Sequence, residues 1–236
     1  MALRGAVLAL ALVACGGSGG DDDAPSDGST DAPPLPPAKC VAPIELVDVT
    51  ASTVVGDGSP ASCDATALAA AVAQGGNITF NCGAAEHTIN LTSPLAAPTT
   101  GDTTIDGGGL ITLSGSDSTR ILELIHSFEK ASPTVTVQRI KLVHGRTTDV
   151  ANTTVTDPGA AAIYTLGGNI HAIDATFTDN RGPDTGQDVA GGAIYAVGAG
   201  EVTVVRSVFS NNTCSNGGAV SVLGSGLAIV DSILDH

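Results

Sequence analysis

Gly191-Gly192-Ala193-Ile194-Tyr195, followed by Thr203-Val204-Val205-Arg206-Ser207-Val208-Phe209-Ser210-Asn211-Asn212, decides the fold, because the chain writes this pair more than once. The second half aligns with Thr136 to Gly145, with His171 to Asn180 and with Ala228 to His236, each a short alternating run that ends on a polar turn. The first half recurs as Gly159-Ala160-Ala161-Ala162-Ile163-Tyr164 and as Gly217-Gly218-Ala219-Val220-Ser221. The pair returns about every 25 to 35 residues. A period of that size with two or three short strands is that of a solenoid, in which one coil cannot bury its apolar side alone and must stack on its neighbours. The reading is an all-β chain, a right-handed parallel β-helix.

The alternation gives the register. Ile170 and Ala172, Val202 and Val204, and Leu227 and Ile229 face one way, and Leu142, Phe177, Phe209 and Leu234 recur at one stacked position, so both sets form apolar ladders inside. Asn180, Asn211 and Asn212 end strands at sharp corners, where Asn tolerates the left-handed conformation, while the Gly pairs relieve crowding at another corner. Residues 146–158 and 181–190 read as insertions between coils. A propeller would need four strands in a blade of about 40 residues, with aromatic signatures; the chain has no Trp, two Tyr and four Phe. Upstream, Asp64 is placed to cap a short Ala-rich helix reaching Ala73, with Gly75 as its stop. That helix would cover the first open end of the solenoid, where unpaired strand edges are a liability. Cys63 and Cys82 bracket this unit and form the preferred disulfide, whereas Cys40 and Cys214 are free, or pair with each other or with a partner.

The ends carry other signals. Met1 to Ala14 has one basic residue, Arg4, ahead of an apolar run from Ala6 to Ala14, the layout of a secretory signal. Such a run is too short for a membrane span, which needs roughly 20 apolar residues in a helix. Leu12-Val13-Ala14-Cys15 resembles a bacterial lipobox, which implies cleavage after residue 14, lipid attachment at Cys15 and a membrane partner through that anchor. Gly16, in place of Asp, implies sorting to the outer membrane, facing the periplasm or the outside. Residues 15–38, built of Gly, Ser, Asp and Pro, read as a disordered tether, and 39–236 as the β-helix domain. With 24 acidic against 9 basic residues the formal charge is −15. Nucleic acid is thereby excluded as a partner, since phosphate binding needs clustered Lys and Arg.

Gly-Gly-Ala-Ile followed by Phe-x-x-Asn, here Gly191, Gly192, Ala193, Ile194, Phe209 and Asn212, resembles the repeat of the chlamydial polymorphic outer membrane proteins and of related bacterial surface proteins with the pectate-lyase fold. Gly217 to Val220 is followed by a degenerate Leu234-Asp235-His236; Gly159 to Ile163 is itself degenerate, though Phe177 to Asn180 matches. The resemblance covers roughly residues 63 to 236. It implies a lipid-anchored cell-envelope protein acting as a non-catalytic surface scaffold or adhesin, with a polysaccharide or the surface of a host or neighbouring cell as partner. Its enzymatic alternative is a polysaccharide lyase or glycoside hydrolase acting on acidic polysaccharide.

That alternative needs residues to carry it. Arg139-Ile140-Lys141 beside His144-Gly145 is similar to polygalacturonase motifs, but the order and spacing are wrong and no Asp-Asp pair lies outside the tether. Arg139, Asp174, Arg206 and Asp231 share one repeat position. With coils about 4.8 Å apart they form a ladder of alternating charge. Its first reading is cross-strand pairing, about 0.2 to 1 kcal/mol per contact; its second is a sugar-binding strip with an arginine base. His144, Asp179, Asn211 and His236 read as corner residues rather than metal ligands. Asn-x-Thr triplets such as Asn77-Ile78-Thr79 read as strand and turn chemistry. No catalytic residue, metal or cofactor is assigned. The repeat stops inside a coil, at the residue matching Asn211, so the expectation is a chain that continues beyond residue 236, or an end docked on a partner.

Overall fold

A computed structural model describes residues 42–147, 159–186 and 189–235. The proposed signal, Cys15, the tether, Cys40 and His236 lie outside the described residues. A first strand, β1 (Thr53–Val55), leads to α1 (Ala65–Gln74), and the coils follow. Each full coil makes three strands in turn: β2 (Gly76–Phe80), β3 (His87–Asn90) and β4 (Leu95–Ala96); β5 (Thr103–Asp106), β6 (Ile111–Ser114) and β7 (Leu122–Ile125); β8 (Thr134–Gln138), β9 (Lys141–Val143) and β10 (Ile163–Leu166). The fourth coil is β11 (Asn169–Ile173), β12 (Thr176–Thr178) and β13 (Ile194–Val197), the fifth β14 (Glu201–Val205), β15 (Val208–Ser210) and β16 (Val220–Leu223). Two strands of a sixth, β17 (Gly226–Val230) and β18 (Ile233–Leu234), complete the described part.

Corresponding strands of successive coils pair in parallel and build three sheets of seven, six and five strands, a right-handed parallel β-helix. In the first sheet Ile105, Val137, Ala172, Val204 and Ile229 stand in register; in the second, Leu113, Leu142, Phe177, Phe209 and Leu234; in the third, Leu122, Ile163, Ile194 and Val220. The ladders expected from sequence are therefore real, and they fill the bore of the solenoid with apolar atoms. Phe177 and Phe209 lie ring on ring, centroids 4.5 Å apart and 6° from parallel.

The helix caps the start of that bore. Asp64 accepts from the Ala67 N–H at 2.8 Å, and Gly75, at φ 72°, ends a helix one residue longer than expected. Leu68 and Val72 are fully buried under the first coil, and β1 adds one strand to the first sheet. Cys63 and Cys82 are bonded, with Cα atoms 5.6 Å apart, while Cys214 is a free thiol.

One corner differs from expectation. The left-handed residues between the second and third sheets are His144, Asp179 and Asn211 (φ 52°, 55° and 55°), not Asn180 or Asn212. Asn180 and Asn212 come one position later, where the side chain points inward, and are buried. Asn180 Nδ2 donates to Leu142 O at 3.1 Å and to Asn212 Oδ1 at 2.9 Å, and its Oδ1 accepts from the Gly145 N–H at 2.9 Å. Asn212 Nδ2 donates in turn to Phe177 O at 2.9 Å. The stack satisfies backbone groups that the tight corner would otherwise strand inside. Just past it Arg146, Arg181 and Thr213 step in register, as do Gly159, Ala190 and Asn216, so the described ends of both insertions keep the coil spacing.

Candidate functional site

The charged ladder runs along the corner between the first and second sheets. Arg139, Asp174, Arg206 and Asp231 each follow the last residue of a first-sheet strand with φ between 49° and 51°. They are corner residues, not strand residues, and their side chains project along the outer edge of the solenoid. Coil stacking makes one pair among the four rather than an even row. Arg206 holds Asp174 with two bonds, Nε to Oδ1 at 2.8 Å and Nη2 to Oδ2 at 3.2 Å. Asp231 acts on Arg206 through its charge but lies outside ion-pair distance.

Arg139 has a partner that the alignment missed. Asp106 occupies the strand position of Gln138, one place before the corner. There the corner is taken by Gly107, where an added Cβ would sit 2.7 Å from Arg139 O. The Asp106 carboxylate, almost fully buried, accepts from Arg139 Nε at 3.0 Å, from Arg139 Nη2, from Gln138 Nε2 at 2.7 Å and from the Gly108 N–H at 2.8 Å. Burial alone would raise its pKa, but the bonds from Arg139, Gln138 and Gly108 outweigh burial and hold it below the ordinary carboxylate value.

This decides what the ladder can do. A general base must give up its proton near neutral pH. The hydrogen bonds it donates to Asp106 push the Arg139 guanidinium further up, and those donated to Asp174 do the same for Arg206. The Nε and Nη2 edge of each arginine is taken by a carboxylate, which holds both guanidiniums in the charged form, so neither can serve as the base. Lys141 is likewise engaged, 3.0 Å from Glu86, and His144 sits on the other corner with Asp117 at 3.6 Å. The polygalacturonase-like residues therefore do not converge. Among the described residues no three His, Cys, Asp or Glu side chains come together as metal ligands would.

Gln138 links the corner to the segment before β1. Its amide accepts from the Val47 N–H at 2.9 Å and donates to Val47 O at 3.0 Å, a two-point bond that mimics a strand pair. Further down, Asn77 Nδ2 donates to the carbonyls of Asp48 and Ala51, at 3.1 and 3.2 Å. Glu45 adds its charge to the field at Arg206. Residues 47–51 thus form a strap on the outer face of the first sheet, bonded from the level of β8 to that of β2. Nothing in the repeat announces it, because it precedes the repeat.

On the outer face of the third sheet, Arg120 stacks on the Tyr164 ring at 4.9 Å from its centroid. It also donates to the carbonyls of Ala160 and Gly159 and pairs with Glu123 at 3.0 Å. Tyr195 lies next along that row, its ring 6.0 Å from Tyr164. This cluster buries the outside of the third sheet against the chain entering it, a packing role.

Comparison with known proteins adds one finding. Residues 206–222 match the Chlamydia polymorphic membrane protein repeat. The match begins at the corner Arg206, runs through Phe209 and Asn212 and ends in β16, so it spans the second-sheet strand, the buried Asn and the Gly217-Gly218 turn. Those are the features that make one coil stack on the next. No curated protein and no solved structure matches the chain.

Proposed function

We propose that the protein is an exported cell-envelope β-helix, anchored by a lipid on Cys15 and acting as a non-catalytic surface scaffold or adhesin. The observation that carries this reading is the match of residues 206–222 to a polymorphic membrane protein repeat, on a stack of parallel coils in which Arg139 and Arg206 are each bonded to a carboxylate of a neighbouring coil. A solenoid of this kind offers long regular faces, suited to display and contact. The signal-like residues 1–14 and the lipobox-like Leu12 to Cys15 support the envelope location.

Two measurements test it. Expression in a Gram-negative host with a labelled fatty acid, comparing the native chain with Cys15→Ser, gives label only in the native chain; equal labelling, or none, defeats the anchor. Incubation with polygalacturonate, alginate and chondroitin sulfate in the presence of calcium gives no unsaturated or reducing-end product. Release of such products would replace the scaffold by a lyase or hydrolase.

A further inference from the structure

Beside the strap, the outer face of the first sheet carries a groove of about 560 Å³. Its floor is one row of side chains in register, Asn77, Thr104, Thr136 and His171, contributed by four successive coils. Three steps of about 4.8 Å make it ~14 Å long. One edge is polar and held rigid: Asp102 accepts from the Thr134 N–H at 2.8 Å, and Asn169 donates to the Thr134 hydroxyl at 3.1 Å. The other edge is the strap, through Val47 and Ala51.

The floor is notable for what it leaves unmade. Thr104 and Thr136 are 5% and 3% exposed, and both line the groove. Neither hydroxyl takes part in any side-chain hydrogen bond among the described residues, although Thr178 and Ser210, stacked on the second sheet, bond each other at 3.0 Å. Both residues are more than nine-tenths buried, yet their hydroxyl oxygens are not sealed off, so the groove is the side from which a partner, water or ligand, reaches them.

We propose that this groove binds a neutral glycan, a short run of sugar units lying along the solenoid axis. A hydroxyl both donates and accepts, and so do the threonine hydroxyls and the His171 imidazole of the floor, while Asn77, whose amide hydrogens go to the strap, offers its Oδ1 as an acceptor. Sugar units in an extended linkage advance by roughly one coil spacing, so consecutive units meet consecutive floor residues. Charge selects against acidic glycans. No Lys or Arg lines the groove, Asp102 borders it, and Glu201 lies 3.9 Å from His171. Burial pushes the His171 imidazole below its ordinary value, against the opposing pull of Glu201 and Asp102, which disfavours a positive charge on the floor. A peptide strand is disfavoured too, because the groove lies on a sheet face, where the backbone is already paired.

The inference gives the scaffold reading a ligand, and it resides in a site separate from the corner ladder. Its test is direct binding by the purified full chain, so failure of the envelope location leaves the result intact. The probes are cellohexaose, mannohexaose, maltohexaose, chitohexaose and hexagalacturonate, titrated by calorimetry. At least one neutral hexaose binds with a dissociation constant of about 1 mM or tighter, Thr136→Val weakens it about tenfold or more, and Thr136→Ser retains it. Thr136→Val keeps the β-branched shape and breaks no internal bond, so it folds; Thr88→Val on the second sheet leaves binding unchanged. The proposal is overturned if no neutral hexaose binds, if hexagalacturonate binds as well as they do, or if Thr136→Val binds as tightly as the native chain.

Discussion

Asn180→Ala tests whether the inward asparagines hold the coils together. The native side chain supplies the acceptor for the Gly145 N–H and a donor to Leu142 O, both inside the solenoid and out of reach of water. Truncation strands both, at about 1 to 3 kcal/mol each. The Asn212 Oδ1 loses one donor but keeps the Asn180 N–H at 3.1 Å. The sum is a loss of about 2 to 6 kcal/mol, a large part of the ~5 to 15 kcal/mol that separates a typical domain from its unfolded state. In urea, with a slope of about 2 to 3 kcal/mol per molar, the midpoint falls by roughly 1 to 3 M. Asn211→Gly is the control: this neighbour is exposed and at φ 55°, a conformation glycine adopts freely, so its midpoint moves little. Asn180→Asp keeps the shape but aims a carboxylate at Leu142 O and Asn212 Oδ1. Its folded pKa lies above the unfolded value of about 3.9, so this variant is least stable at neutral pH and recovers as pH falls. Asn180→Ala within about 1 kcal/mol of the native chain, or no worse than Asn211→Gly, would refute the ladder as a source of cohesion.

Three further outcomes follow from the geometry. Arg139→Ala leaves the buried Asp106 carboxylate with only Gln138 and Gly108 as partners and costs about 1 to 3 kcal/mol, while Arg206→Ala, whose Asp174 partner is a third exposed, costs under about 1 kcal/mol; equal urea midpoints contradict this order. Replacing Cys63 and Cys82 together by Ala frees a loop of sequence separation 19 and lowers stability by about 3 kcal/mol, read as a drop in melting temperature that reducing agent reproduces in the native chain but not in the variant. Gly192→Ala places a Cβ 2.0 Å from Gly218 O and 2.6 Å from the Thr213 nitrogen, so the coil must open and the variant is recovered unfolded or as aggregate; Gly108→Ala, where a Cβ meets nothing, stays soluble with a loss of about 1 to 2 kcal/mol for its positive φ.

The sequence made the fold legible because two periods coincide. Alternation within a strand says which residues face inward, and the longer repeat says which of those stack. Together they placed Leu142, Phe177, Phe209 and Leu234 on one ladder, as the pairing register has it. The corner failed by one residue for a physical reason. Asp179-Asn180 and Asn211-Asn212 are each two residues that tolerate a left-handed backbone, so composition cannot say which takes it. The signal lay in Gly145, which aligns with the buried Asn of the next coil and offers its N–H to it. The Asp106 pairing was hidden in the same way. Gly107 takes the corner position that matches Arg139, so the carboxylate that serves Arg139 comes from the strand position before it, which has no counterpart among the aligned charges.

Function was less legible because the visible feature and the available feature differ. Charges that recur at one position draw the eye, yet the two arginines among them already hold carboxylates of a neighbouring coil, Arg139 that of Asp106 and Arg206 that of Asp174. A group that has found its partner within the coil stack gains little by meeting a ligand, since the bond it would form replaces one it must break. The threonines of the first sheet show the reverse. Thr104 and Thr136 are unremarkable in sequence, as strand-forming residues at alternate positions in a Thr-rich chain. Only the stacking register sets them in one row, and only the strap, pinned through Gln138 and Asn77, turns that row from an open sheet face into the floor of a groove. Recognition by a repeat protein is therefore better sought where the stack leaves hydrogen bonds unmade than where the repeat is most conspicuous. In this chain that criterion selects the hydroxyl row over the charged corner.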